Sequence, residues 1–326
     1  MNTVNNERIL AVIKPKERHN TNRQSLSHKI SKDFKMNKVV IFMAIPVVVW
    51  YFIFHYIPMG GLIIAFKSFS PSKGIWGSNW VGFQHFTDFF QGYYFLRLIK
   101  NTLLINLYQL LFGFPAPLLL ALLLNEVRQK LFKKAIQTFT YLPHFIAMVV
   151  ICGMIVDFTS KNGVINDIIV LLGGERNSFL LQPQYFRLIY VGSDIWREIG
   201  WGSIVYLAAL SGIDQQLYEA CRIDGGGRWR QFVHITLPGI MPIIVILLIL
   251  NMGRMMSEGF EKVILLYNPA TYETADIISS YVYRRGLIES NYSFSAAVGL
   301  FNSVINCLLI VLANRISRKV SETSLW

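Results

Sequence analysis

The chain has 326 residues, 53% of them hydrophobic and only 15% charged, with a mean hydropathy of +0.41. That excludes a soluble domain, because a water-facing surface on a chain of this size needs more charge, and it marks an integral membrane protein. The formal charge of +12 would suit nucleic acid, but the basic residues sit mostly beside apolar runs, where they set orientation in a bilayer, so no nucleic-acid partner is expected.

Residues 1–38 are polar and basic, with Lys14, Lys16, Arg18, Arg23, Lys29, Lys32, Lys35 and Lys38 against Glu7, Glu17 and Asp33. No small-residue cleavage site follows the first apolar run, so this reads as a cytoplasmic tail rather than a cleaved signal. A first span begins near Val39, with Pro46 as a kink and Trp50, Tyr51 and Tyr56 as interfacial anchors. Residues 67–97 read as an outside loop with one surface helix. A second span covers residues 98–124, its hydrogen-bond ladder broken by Pro115 and Pro117. Arg128, Lys130, Lys133 and Lys134 then place a short loop inside.

A third span is predicted over residues 136–158, an outside loop over 159–183, and a fourth span over 185–210. A fifth starts at Leu237-Pro238, residues 259–293 return outside, and a sixth runs over 294–313 to Arg315, Arg318 and Lys319. The expected fold is therefore all-α, with about six transmembrane helices, both termini cytoplasmic, a membrane domain over residues 39–316 and a short cytoplasmic tail over 317–326. Cys152, Cys221 and Cys307 form no CxxC pair, so neither a disulfide framework nor a zinc site is indicated.

Between the fourth and fifth spans lies the polar stretch 211–238, SGIDQQLYEACRIDGGGRWRQFVHITLP. Leu217, Ala220, Cys221 and Asp224 recur at the spacing of one helix face over residues 215–223. Gly225-Gly226-Gly227 then stops the helix, since glycine supplies the positive φ of a helix C-terminus. A second piece, with Trp229, Phe232 and Val233 on one side, is expected before the fifth span. The pattern predicts a helix-turn-helix lying flat on the membrane.

Glu219-Ala220-Cys221, Asp224-Gly225 and Ile235-x-Leu237-Pro238 resemble the EAA motif, EAA-x3-G-x9-I-x-L-P, of the membrane subunits of binding-protein-dependent ABC importers. Cys221 replaces the usual alanine, a small-for-small change. The resemblance implies the type I ABC importer permease fold in a bacterial cytoplasmic membrane. It makes 211–238 the coupling loop that docks on a cytoplasmic ATPase through Glu219, Ala220, Cys221, Arg222, Asp224, Gly225 and Trp229. It also implies a second permease subunit, two copies of the ATPase, which hold the ATP and magnesium, and an extracytoplasmic solute-binding protein. No cofactor is expected on this chain. The triple glycine lacks the Lys-Ser/Thr of a phosphate loop, and no hydrolase or metalloprotease motif occurs, so the chain is read as a transporter subunit, not an enzyme.

Charge within spans is costly and marks interior or water-facing positions. Asp194, Arg197, Glu198 and Trp201 share one face of the fourth span, and Asn251, Arg254, Met255 and Glu258 one face of the fifth. Counting at about 1.5 Å per residue places the two stripes at one depth. Two readings fit: ion pairs that hold helices together, or a cavity in which Trp201 stacks on a sugar ring while the polar groups meet its hydroxyls. Residues 141–145, YLPHF, and 194–214, DIWREIGWGSIVYLAALSGID, are similar to the branch of sugar permeases that handles complex oligosaccharides, including uronate-containing ones. The lone histidines, His144 among them, read as hydrogen-bonded structural residues. Rival readings are a permease for another solute and an ion-coupled secondary transporter, for which Asp157 and Glu198 would be the carboxylates; inverted repeats, which would support the latter, are not evident.

Overall fold

The computed structural model describes residues 37–255 and 259–320. The basic tail expected before residue 37, the last residues of the C-terminal tail and Glu258 lie outside them. The chain divides into two compact units, residues 1–61 and 62–326. In the first, α1 (Lys38–Tyr51) continues through a π turn at Phe52–Tyr56 into Ile57–Met59, and none of these helical residues is buried. A helix apolar on every face has no side to turn to water, so its solvent is hydrocarbon or another protein.

The second unit opens on a hairpin that pairs Lys67 with Trp80 and Ser68 with Asn79. The surface helix α2 (Gln84–Phe90) follows. The long helix α3 (Phe95–Glu126) has 32 residues and carries a π turn at Gln109–Gly113, just ahead of Pro115, where the proline removes a donor from the ladder. Among the described residues, five helical runs are long and apolar enough to cross a membrane: Lys38–Phe66, Phe95–Glu126, Met148–Leu171, Arg228–Arg254 and Tyr292–Arg318. The expected fourth span is α7 (Pro183–Ser211), whose 29 residues suffice for a bilayer but carry Arg187, Asp194, Arg197 and Glu198.

The third span differs from expectation. Residues 136–141 belong to a separate amphipathic helix, α4 (Lys130–Tyr141), which buries none of its residues. Pro143 ends it in a 3-10 turn at Leu142–Phe145, and the chain becomes extended at Ile146. The span proper is α5 (Met148–Thr159), continued after a turn by α6 (Val164–Leu171), so part of the predicted outside loop is helical. The last helix, α12 (Tyr292–Val320), begins two residues earlier and runs seven residues further than the predicted span.

Three apolar clusters hold the second unit. One joins Ile105 of α3, Ile151 and Ile155 of α5, and Phe186 and Tyr190 of α7 to Val263 and Leu266 of α10 (Phe260–Leu266). A second joins Phe89, Leu98, Phe294 and Val298 to Ile278 and Tyr281 of α11 (Ile278–Tyr283). The third joins Ala121, Tyr206, Leu210 and Ile240. Close helix contact relies on glycine: a Cβ on Gly200 of α7 would lie 2.1 Å from the Thr140 carbonyl oxygen of α4. Small residues at crossings are how membrane helices gain packing where lipid offers no hydrophobic drive.

Candidate functional site: the coupling segment and the polar face of α7

The polar stretch forms α8 (Gln215–Ile223), over the residues predicted from the sequence. Asp214 caps its start, accepting a hydrogen bond from the Gln216 amide at 2.9 Å. The end is a Schellman closure: the Gly226 amide donates to the Cys221 carbonyl at 2.7 Å and the Gly225 amide to Arg222 at 3.1 Å. Gly225 sits at φ +74°, in the left-handed region that side chains resist. Beside it Gly226 packs on Cys221, where an added Cβ would come within 2.3 Å of the sulfur. The register of a small residue at 221 with glycines at 225 and 226 is thus imposed by one turn.

The second piece does not lie flat as a separate helix. Residues from Arg228 onward form one helix, α9 (Arg228–Arg254), whose ladder passes through a π turn at Phe232–Thr236 into Leu237-Pro238 without a break. Proline is tolerated there because a π turn leaves its missing donor unneeded. Tyr218 ties α8 to this helix through a 3.0 Å hydrogen bond to the Thr236 hydroxyl, and Gln231 donates to the Gly226 carbonyl at 3.1 Å. What remains facing outward is a mixed surface: Glu219, Ala220, Arg222 and Asp224 are exposed, with Leu217, Ile223 at 86% and Trp229 at 76% beside them. Cys221 is half-buried. Among the described residues Glu219 makes no ion pair with Arg222, the partner suggested by their spacing; Arg228 reaches Glu126 at 3.8 Å instead.

The polar face of α7 resolves into two groups. Asp194 accepts from the Gln109 side chain on α3 and pairs with Lys262 of α10 at 3.2 Å. Lys262 is 2% exposed and also donates to the Tyr190 carbonyl at 2.7 Å, with its ammonium 4.6 Å from the Tyr190 ring centre. One turn on, Glu198 bridges Arg197 at 2.6 Å and His144 at 3.0 Å. Trp201 stacks on the same His144 ring, centroids 4.5 Å apart and planes 3° from parallel, with the Phe145 edge against it. Trp201 is nonetheless 43% exposed.

Asp194, Arg197, Glu198 and Trp201 all lie on α7, as the spacing predicts, and two residues that the sequence reading did not link to them, Lys262 and His144, hold them. Lys262 had a signal, a lone cation in the apolar run FEKVILL; His144 had one in its place between Pro143 and Phe145. The buried contact between α7 and α9 lies nearer α8, at Tyr206, Leu210 and Ile240, with Ile213 filling the space a Gly239 side chain would need. Further along, α9 turns Gly253 to Ile310 of α12. Asn251 and Met255 are half-buried and Arg254 exposed. Among the described residues, no group of His, Cys, Asp and Glu is placed to hold a metal ion.

Comparison with known proteins supplies the frame for this geometry. Residues 113–322 match the family described as binding-protein-dependent transport system inner membrane component. Protein LplB of Bacillus subtilis is 47% identical over 90% of this chain and 92% of its own length. The polygalacturonan/rhamnogalacturonan transport system permease protein YteP of the same organism is 46% identical over 89% and 90%. Among solved structures, a chain of a bacterial alginate ABC transporter in complex with an alginate pentasaccharide-bound periplasmic protein superposes with a TM-score of 0.84. It is 45% identical, and the match covers 90% of this chain and 99% of that one. By the extent of the family match and of the near full-length relatives, the chain belongs to the binding-protein-dependent transport system inner membrane components, as a multi-pass transporter subunit of the bacterial cytoplasmic membrane and not an enzyme.

Proposed function

We propose that the chain is the membrane-spanning permease subunit of an ATP-driven importer that carries an oligosaccharide, acidic in character, delivered by a solute-binding protein. The observation that carries this reading is the near full-length likeness to a polygalacturonan/rhamnogalacturonan transport system permease and to a chain of a bacterial ABC transporter involved in the import of the acidic polysaccharide alginate. The exposed face of α8, with Glu219, Ala220, Arg222 and Asp224 framed by Leu217, Ile223 and Trp229, is the docking surface for a cytoplasmic ATPase that holds ATP and magnesium. Both termini then lie on the cytoplasmic side, and a second permease subunit completes the membrane pair. Two ATPase copies serve that pair.

Within the membrane, the path runs past the α7 face. Trp201 offers an aromatic surface held in place by His144, and Glu198 and Arg197 neutralise each other beside it. Asn251, Arg254 and Met255 of α9 supply the facing wall. Its Arg254 and the Lys262–Asp194 pair border the route for an anionic chain. Closure of the ATPases moves α8, and the permease exchanges between two arrangements whose populations the ligands bias.

The test is uptake of labelled trigalacturonate by proteoliposomes holding the complete transporter. Accumulation should need ATP inside and the solute-binding protein outside. Uptake driven by a proton or sodium gradient without ATP would refute the reading, and so would transport confined to non-sugar solutes.

A further inference from the structure

A cavity of about 280 Å³ opens at the start of α3, lined by Tyr94, Tyr272 and Tyr281 and by Arg97, Arg284 and Arg285. None of its lining residues belongs to α7. Arg97 stands at one end of the 32-residue helix whose other end, Glu126, reaches Arg228 of the coupling segment at 3.8 Å. At about 1.5 Å per residue the cavity and the coupling segment are on the order of 40 Å apart, a bilayer's width.

The cavity's charge does not balance. Asp276, fully buried behind it, accepts from Arg284 at 2.6 Å and Arg97 at 3.3 Å, and from the Ser280 hydroxyl at 2.8 Å. Arg285 pairs with Glu289 on the rim. Three guanidiniums thus meet two carboxylates, leaving one positive charge. Burial works against the Arg284 cation, but the hydrogen bond and charge of Asp276 outweigh it and hold the guanidinium protonated. The Arg97 and Arg285 Nε atoms are buried without an acceptor among the described residues. The rest of the Arg97, Arg284 and Arg285 side chains stays partly exposed, and a carboxylate oxygen meets exposed guanidinium donors with a charge-assisted bond.

The tyrosines add the second half of the chemistry. The Arg97 guanidinium lies 4.5 Å from the Tyr94 ring centre and that of Arg284 lies 4.7 Å from Tyr272, so cations and aromatic faces alternate around the wall. An aromatic face carries negative charge that attracts the C–H face of a pyranose. The volume is at the low end for small-molecule pockets, which run from about 300 to 1,000 Å³, so the space suits one ring and not a chain.

We propose that this cavity is an entry subsite that receives a single uronate residue of the oligosaccharide on the face opposite the coupling segment, through its carboxylate and ring. It rests on the oligosaccharide reading above and names the chemical feature selected before the membrane path begins.

Calorimetric titration of the complete detergent-solubilised transporter, without solute-binding protein, tests it with trigalacturonate and its methyl ester, identical in skeleton but uncharged. The wild type binds the acid about tenfold more tightly than the ester, as one charge-assisted bond requires. Arg285→Gln weakens the acid about tenfold and brings the acid-to-ester ratio close to one. Glu289→Gln releases Arg285 and tightens the acid, a gain that misfolding cannot produce. Equal binding of acid and ester by the wild type, or no tightening in Glu289→Gln, overturns the proposal. Proteoliposome uptake separates the two readings: normal trigalacturonate uptake beside a negative titration removes the subsite alone, whereas absence of any oligosaccharide uptake removes the reading beneath it.

Discussion

His144 lies flat against Trp201 while its Nδ1 holds Glu198 at 3.0 Å, so one ring from a 3-10 turn fixes two side chains of α7 that are three residues apart. Offset or parallel aromatic contacts contribute about 0.5–1.5 kcal/mol beyond the area they bury. His144→Ala should therefore lower kcat/KM for oligosaccharide uptake by about two- to tenfold. His144→Phe keeps the stack and loses the Glu198 bond, and Trp201→Ala removes the platform itself. Uptake should fall in the order His144→Phe, His144→Ala, Trp201→Ala; equal uptake by all three would mean that this corner only packs.

Gly225 and Gly226 fail for different reasons when substituted. Gly225→Val forces a β-branched residue to φ +74°, at a cost of about 1–2 kcal/mol, and opens the Schellman turn. Sugar transported per ATP hydrolysed should drop well below wild type in proteoliposomes. Gly226→Ala instead collides with the Cys221 sulfur at 2.3 Å and its carbonyl oxygen at 2.8 Å. Adding Cys221→Ala removes the nearer contact, so the double variant should recover part of the coupling that Gly226→Ala loses. No recovery would show that the backbone contact alone sets the register.

Lys262 and Asp194 should be inseparable in mutational terms. Stripping one partner from a buried ion pair costs about 3–5 kcal/mol, while replacing both by apolar residues is often neutral. Asp194 is 21% exposed, which places it toward the lower end of that range. Lys262→Met should markedly lower the unfolding temperature of the detergent-solubilised protein, and Lys262→Met with Asp194→Leu should restore most of it. A double variant as unstable as the sum of the singles would deny the coupling.

The Arg228–Glu126 pair makes the opposite case. Both side chains are more than 60% exposed and 3.8 Å apart, a geometry worth about 0–1 kcal/mol and weakened by salt. Glu126→Gln should leave the unfolding temperature within about 1 °C of wild type, a shift that corresponds to roughly 0.7 kcal/mol for a chain of this length. A larger shift would mean that this contact locks the coupling segment.

What could be read in advance follows from how local each cause is. Residues 215–223 were legible because the periodicity and the glycine stop act within one turn or two; the Asp214 cap is a feature the structure adds. The start of the third span was not: residues 136–158 form one apolar run, and only the backbone break from Pro143 to Ile146 separates an amphipathic helix from the span. Apolarity says that residues are buried, not in which helix. The α7 stripe was visible as helical spacing, whereas Lys262 lies 68 residues from Asp194, and no period links them. The cavity at Arg97 is the same problem enlarged, since Asp276 is 179 residues from the arginine it neutralises.

The unbroken course of α9 from Arg228 to Arg254 has a mechanical meaning. A flexible joint before Leu237 would let the outer piece swivel and dissipate a push as loop motion. Here 27 helical residues, about 40 Å long, form a rod whose regular ladder is interrupted by the five-residue π turn at Phe232–Thr236 and by Pro242. Torque applied at Trp229 must twist that turn or rotate the whole rod, and the Tyr218–Thr236 hydrogen bond splints the turn on one side. On the docking role proposed above for α8, a push there would reach the bilayer interior as an angle of α9 rather than as a displacement.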